Sequence, residues 1–413
     1  MLTTLTLAAR NLGRNLRRTL ITIAAITFGL MTIHFVITLQ NGAYEEMLDQ
    51  GVSSLAGHVV VQADGYQAER DAELLVTHAD DVAATLSEAF PSATIAPRIL
   101  LGGLVTSPTN SVPAGFSGVD PVAEGTVQSL DDRIVAGTWL DDDDRGILIG
   151  ADMAESLDVG IGDKIVFMGQ FGDNDDVSSR LFRVKGIFRT GAAEMDGMLT
   201  MGHLAAGRDL LGAGDVAHQV TVHLEDPRGW AEATALAQGD LGARGDLEVL
   251  AWRDAIPELY GLIQLDQQSG DTMLVILGLI VTMGVLNTVL MSALERTREF
   301  GVMMALGLKP RRLASLILAE GFVLGVVGSL CGLLVGLAVS YPLVVYGLDY
   351  SSLLGSDAIE TGGVAISAQL MGKYSFVRMA SYTLGAVALT TLAAAYPAWH
   401  VARLEPVAAM RHV

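Results

Sequence analysis

Four stretches of this chain, residues 19–39, 272–294, 313–346 and 380–400, are each apolar over the about 20 residues that a helix needs to cross a hydrocarbon layer. Lipid offers no hydrogen-bond partners, so a spanning segment must satisfy its backbone internally and becomes a helix. Everything else in the fold has to hang on four such spans. Composition agrees: 51% of the 413 residues are hydrophobic and only 17% charged, with a mean hydropathy of +0.43. That is too apolar for an ordinary soluble protein of this size.

Between the first two spans lies a long polar piece, residues 40–271, which carries most of the acidity. Residues 41–271 hold 39 acidic against 13 basic residues, although the whole chain has a net charge of −20. Basic residues instead flank the spans: Arg10, Arg14, Arg17 and Arg18 before the first, Arg296, Arg298, Lys309, Arg311 and Arg312 between the second and third, Arg403 and Arg411 after the fourth. The positive-inside rule then predicts that both termini and the segment 295–312 are cytoplasmic, and that the acidic domain and the loop 347–379 are outside. The first span reads as an uncleaved anchor, because its basic region is long and Thr38-Leu39-Gln40 offers no small-x-small cleavage site. Residues 1–18 place Leu5, Ala8, Leu12 and Leu16 on one face, the pattern of an amphipathic helix lying on a membrane surface. The single cysteine, Cys331, falls in the third span, so the external domain must fold on its apolar core alone.

That domain alternates strand-like and helix-like stretches, predicting an α+β fold with an insertion. Strands are expected near 58–62, 94–106, 112–119, 217–224 and 247–251, with helices near 80–90, 151–157 and 227–236. A hairpin should join 164–168 to 181–188, and Gly118-Val119-Asp120-Pro121 should form a turn. Helical pattern continues past the first span to about Leu48, and a long helix from about Arg253 leads into the second, so two stalks are expected to enter the membrane.

Catalytic motifs are missing from the sequence. It has no Gly-x-x-x-x-Gly-Lys-Ser/Thr loop to cradle phosphates, no His-Glu-x-x-His and no Gly-x-Ser-x-Gly elbow. The acidic runs Asp141–Asp144 and Asp173-Asn174-Asp175-Asp176 do not match an EF-hand and read as solvated loops. No metal site, cofactor or nucleic-acid partner is expected of this chain.

Three other features call for a role. Gly321, Gly325, Gly328, Gly332 and Gly336 form a bare stripe on the third span, a seam for close helix packing within the subunit or across a dimer. His34 and Glu320 are ionisable groups inside spans, which are costly and need a partner or water; Glu320 is near enough to the cytoplasmic end to reach interfacial water or Arg311. Finally, residues 295–307 read Glu-Arg-Thr-Arg-Glu-Phe-Gly-Val-Met-Met-Ala-Leu-Gly, a short charged segment with Val302, Met303 and Leu306 at one-turn spacing. Spacing alone fits either a solvated turn or a docking helix.

These last residues carry a family resemblance. Leu294 to Gly301 with Ala305-Leu306-Gly307, and the closing Tyr396-Pro397-Ala398-Trp399 through Ala402-Arg403-Leu404-Glu405-Pro406, resemble the signatures of FtsX/MacB-like ABC-transporter permeases. The segment 147–164, Val184-Lys185-Gly186-Ile187-Phe188, Gly191 and Asp196-Gly197 are most similar to the lipoprotein-releasing LolC/LolE branch. The resemblance covers essentially the whole chain and implies an α-helical integral membrane protein of a bacterial inner membrane, with a large α+β periplasmic core domain inserted between the first and second spans. It also implies a type VII system, in which two permease subunits, alike or different, bind two cytoplasmic ATPase subunits that hold the ATP and Mg²⁺. Nucleotide-driven closing is then relayed to the outside by mechanotransmission, releasing lipoproteins toward a periplasmic carrier. The coupling residues would be Glu295, Arg296, Arg298, Glu299, Gly301, Met303, Ala305 and Gly307. Two alternatives share the architecture: a MacB-like efflux permease with a periplasmic adaptor, and an FtsX-like regulator of a cell-wall hydrolase. The hairpin tip 168–180 departs from the LolC pattern, being acidic and free of proline where that branch has an apolar hook.

Overall fold

A computed structural model describes residues 10–11, 13, 16–52, 56–128, 130–171, 177–242, 244–349, 358–361, 364–367 and 369–403. The closing residues Leu404 to Pro406, the acidic segment 173–176 and most of the amphipathic segment 1–18 lie outside these. The chain divides into two compact units, one made of residues 1–44, 264–348 and 370–413, the other of 45–263 and 349–369.

The first unit is a helix bundle. Among the described residues, four helices are long and apolar enough to cross a membrane: α1 (Leu16–Gly51), α2 (Pro257–Glu295), α4 (Pro310–Tyr346) and α5 (Phe376–Ala402). A short helix, α3 (Thr297–Ala305), joins α2 to α4. With 36 and 39 residues, α1 and α2 run roughly 54 and 58 Å at 1.5 Å per residue, well beyond the about 30 Å of a hydrocarbon core. Helix α2 does not begin at Arg253 as the pattern suggested. Trp252–Ala255 is a separate turn, because Pro257 forces Ile256 out of the helical region, to φ −128° and ψ 63°. Proline then opens α2 at a position where its missing N–H costs nothing.

The second unit is built on ten strands: β1 (Val59–Ala63), β2 (Thr94–Thr106), β3 (Ser111–Val119), β4 (Ile134–Gly137), β5 (Gly146–Gly150), β6 (Lys164–Gln170), β7 (Val177–Phe188), β8 (Leu199–His203), β9 (Gln219–His223) and β10 (Leu247–Ala251). Their order is β10-β1-β9-β2-β3-β8-β5-β7-β4, and β6 pairs with both β2 and β7. This last pairing closes a ring, β2-β3-β8-β5-β7-β6, a six-stranded barrel that takes in β2 and β3 as well as the section after them. Two of its pairs, β3 with β8 and β5 with β7, are parallel.

Strand β2 belongs to both halves. Its first residues pair with β9 and its last with β6. Inside the barrel, Phe116 meets Phe167 and Phe182 at ring distances of 5.3 and 5.5 Å, and Ile99, Ile147, Ile165 and Val184 fill the remainder. Closure removes open sheet edges, which suits a domain that has no disulfide available. In the other half, β1 and β9 are buried along their whole length, and the helices Ala79–Ala89 and Trp230–Leu241 cover one side through Val82, Leu86, Ala233 and Ala237.

The turn expected at 118–121 is instead the end of β3 followed by a helix, Pro121–Gln128, whose first N–H groups at Val122 and Ala123 are received by the Asp120 carboxylate at 2.9 Å. Helix Leu204–Leu211 and strands β4, β5 and β8 were not anticipated. Gly160–Asp163 forms a turn, with Gly162 at φ 89° and Asp163 accepting the Gly160 N–H at 2.8 Å.

Candidate coupling site

Helix α3 has one side in the bundle core and one side free. Phe300 and Met304 pack among Val289, Ala293, Leu313 and Ile317, and Gly301 is buried beside them. Met303 is half-buried against the same cluster. Opposite, Val302 is 46% and Leu306 84% exposed, with Arg298, Ala305, Gly307, Lys309, Arg311 and Arg312 exposed around them. Gly307 has φ 96°, and its N–H closes onto the Met304 carbonyl at 3.0 Å, so α3 stops in a left-handed turn before Pro310 starts α4. An apolar ridge ringed by four cations is the result.

The acidic residues of this segment are turned to a different use. Arg18 on α1 forms a two-pronged pair with Glu295 at 2.6 and 2.7 Å. Arg296 reaches Glu320 on α4 at 3.1 and 3.3 Å and Glu299 at 3.3 Å, and its guanidinium lies 5.2 Å from the centre of the Phe300 ring. Asn11 donates to Glu320 Oε1, an oxygen that Arg296 also reaches, at 2.9 Å. The partner of Glu320 is therefore Arg296 and not Arg311, which is exposed. A helix register alone could not show this, because Arg296 is carried back across the bundle by α3. Arg18 and Asn11 were missed too; nothing in their local sequence sets them apart from the other flanking basic and polar residues.

The glycine stripe of α4 serves two neighbours. A Cβ at Gly325 would lie 3.1 Å from Thr390 on α5, whereas at Gly328, Gly332 and Gly336 it would lie 2.9, 2.8 and 2.9 Å from Ile26, Leu30 and His34 on α1. Gly321 abuts Ala394 of α5. At Gly321, Gly328, Gly332 and Gly336 such spacing admits hydrogen but no methyl group, so the seam holds α1 and α5 against α4 within one chain.

His34 is fully buried, with Nε2 3.1 Å from the Thr383 hydroxyl. That hydroxyl gives its one proton to the Met379 carbonyl at 2.7 Å, so Nε2 is the donor to it. At the end of the bundle away from α3, Arg378 links α1 to α2, donating to Asn41 at 2.8 Å and to Asp271 at 2.6 Å, while Tyr382 also donates to Asp271 at 3.1 Å. In the second unit, the carboxylates of the first acidic run are engaged: Asp141 by Lys185, whose ammonium holds it below the usual carboxylate range, and Asp144 by Arg180 at 2.6 Å. Asp196, in the segment resembling LolC/LolE, is buried and receives the Thr190 N–H, the Thr190 hydroxyl and the Gly191 N–H at 2.7, 2.8 and 3.0 Å.

Comparison with known proteins decides the family. The profile described as MacB-like periplasmic core domain matches residues 19–239, more than half of the chain. The chain belongs to this family. Residues 272–406 match the FtsX-like permease C-terminal profile. Among similar proteins, the lipoprotein-releasing system transmembrane protein LolC of Xylella fastidiosa (strain Temecula1) is 24% identical over 94% of this chain and 92% of its own length. LolC of Neisseria meningitidis serogroup B is 24% identical over 95% and 94%. The macrolide export ATP-binding/permease protein MacB of Marinobacter nauticus is 25% identical over 80% of this chain, which spans 52% of that relative. A crystal structure of the periplasmic region of MacB from Actinobacillus actinomycetemcomitans aligns with 52% of this chain and 97% of its own at a TM-score of 0.37 and 15% identity. This FtsX/MacB-type chain is an ABC transporter permease of the LolC/LolE or MacB kind.

Proposed function

We propose that this chain is the membrane subunit of a transporter that extracts lipoproteins from the inner membrane, driven by a separate cytoplasmic ATPase that docks on α3 and holds the ATP and Mg²⁺. Both termini and α3 face the cytoplasm in this reading, the ten-stranded unit is periplasmic, and a second permease subunit completes the assembly. One observation carries the docking step: α3 is fixed to the bundle on one side and presents Val302 and Leu306, 46% and 84% exposed, on the other. An exposed apolar ridge ringed by cations suits a groove with apolar walls and an acidic rim. Similarity to LolC over nearly the full length supports lipoprotein as cargo.

The ridge narrows the coupling set read from sequence. Arg298, Ala305 and Gly307 lie at the free surface, Glu295, Arg296 and Glu299 form ion pairs, and Gly301 and Met303 pack inward. Replacing Val302 and Leu306 together by glutamate should abolish co-purification of the ATPase while the permease still inserts; undiminished recovery of the ATPase would remove the docking claim. Depletion of the chain should cause lipoproteins to accumulate in the inner membrane. The MacB-like relatives keep a second reading in play, efflux through a periplasmic adaptor, and recovery of an adaptor without lipoprotein would favour it.

A further inference from the structure

Helix α2 turns one side of its spanning part into the bundle, burying Leu274, Val285, Val289 and Ala293. On the opposite side Met273, Ile276, Ile280, Met283, Asn287 and Leu294 follow one another at steps of 3, 4, 3, 4 and 7 residues. The apolar members of this series are 47–70% exposed, and Asn287 is exposed among them. Alternating steps of three and four make a heptad seam, the pattern by which one helix packs along another.

Asn287 is the member that lipid cannot accommodate. At 1.5 Å per residue it lies about 12 Å along the axis from Glu295 and about 24 Å from Asp271, well within the spanning part of the helix. Thr272, Thr282 and Thr288 of the same helix return their hydroxyls to carbonyls one turn back, at 2.7, 2.7 and 2.9 Å. The Asn287 amide has no hydrogen-bond partner among the described residues, and hydrocarbon supplies none.

Whatever covers the seam must be apolar and uncharged, since no charged residue occurs between Thr272 and Leu294. It must also bring a donor and an acceptor to the level of Asn287. A second copy of α2 does both. Two copies in one membrane share their orientation, so a twofold axis relating them stands along the membrane normal and sets α2 against α2 in parallel. Asn287 then meets its own copy, and the N–H of one amide serves the carbonyl of the other. A lone Asn in such a seam fixes register and the number of helices, and amides hydrogen-bond across helices inside membranes.

We propose that a second copy of this chain packs on α2 along this seam, with the two Asn287 side chains paired across a twofold axis. This rests on the reading of the chain as one of two permease subunits, and it names the second as identical to the first. A lipid head group entering the groove beside Arg17, which reaches Asn287, would also serve the amide, but it leaves the heptad on either side unexplained.

The test uses the full-length Cys331→Ala chain in liposomes. Ile276→Cys, Met283→Cys and Leu294→Cys should each give disulfide-linked dimers on oxidation, whereas Val275→Cys and Leu279→Cys, exposed to a similar degree but off the seam, should link far less. Association is followed by energy transfer between copies labelled at Val122→Cys, an 81% exposed position on another element. Asn287→Leu should weaken it roughly three- to thirtyfold, the range for one hydrogen bond between spanning helices. Asn287→Gln keeps the amide and should recover most of the loss, and neither variant should lower the melting temperature. Linkage no greater on the seam than off it would overturn the proposal, as would association unchanged in Asn287→Leu, the result of an amide covered by lipid. No linkage anywhere in a chain that still recovers the ATPase would mark the second subunit as a different protein, overturning the identical pair and leaving the docking reading intact. Seam linkage in a chain that recovers no ATPase would support the pair and count against docking.

Discussion

Removing the Glu320 carboxylate should weaken the bundle at α3 more than any surface change. The Arg296 and Glu320 side chains are each only 11% exposed, and Glu320→Ala takes one of its two carboxylate partners from the guanidinium while Asn11 loses its acceptor. Breaking a buried pair by deleting one partner costs about 3–5 kcal/mol. Arg296 keeps Glu299 at 3.3 Å and the Phe300 ring, so the lower end, about 3 kcal/mol, is expected. The double variant Arg296→Met with Glu320→Leu leaves neither charge and should recover most of this, giving a coupling of about 2 kcal/mol in the double-mutant cycle. Thermal unfolding in nanodiscs, followed by tryptophan fluorescence, reads the effect as a drop of roughly 5 °C or more for the single variant. ATPase binding should fall with it, because α3 is no longer anchored. A single variant melting within about 1 °C of the parent, or a double variant no better than the single, would refute the inward role of this pair.

Acid should loosen the second unit through its histidines. Burial pushes His218 down to about 4, and burial, then Arg98 and His58, take His223 to about 2, from an ordinary 6.5. A depressed folded value means that stability is full above about 6.5 and is lost as pH falls toward the folded value, by about 3 kcal/mol for His218 alone. His218→Asn should flatten the unfolding profile between pH 6.5 and 4, and an unchanged slope would count against it. In the glycine seam, Gly332→Leu must displace Leu30, 2.8 Å from the new Cβ, and should cost about 1–3 kcal/mol, whereas Gly284→Leu on α2 meets nothing within 4 Å and should be tolerated, both by melting temperature. Asp196→Ala strands the N–H groups of Thr190 and Gly191 and should destabilise the unit by about 2 kcal/mol or more, checked by denaturant midpoint.

Long helices and the alternation of strands were legible because they are properties of single segments. The four apolar helices, the hairpin of β6 and β7 and the strands β2, β3 and β9 all follow from local period and turn residues. Closure of the barrel was not, since it depends on β6 finding β2 about 60 residues earlier in the chain, a pairing that no local pattern encodes. Glycine shows the same division. Its spacing on α4 announced a seam, but only the packed bundle shows that Gly328, Gly332 and Gly336 take α1 while Gly321 and Gly325 take α5.

The acidic residues of the 295–307 segment make the point sharpest. Charge on a short connecting helix reads equally as docking surface or as internal clamp, because both need exposed-looking polar residues at helical spacing. Geometry separates them: Glu295 and Glu299 face Arg18 and Arg296, whereas among the described residues Val302 and Leu306 stay 46% and 84% exposed. Apolar side chains left in water beside a fully packed core are the costlier arrangement for a lone subunit, and a partner surface removes that cost. Under the proposed docking of an ATPase on α3, the clamp and the ridge have linked roles. Without Arg18–Glu295 and Arg296–Glu320 the ridge would still be apolar, but it would have no fixed position from which a push could be passed to α1 and α4.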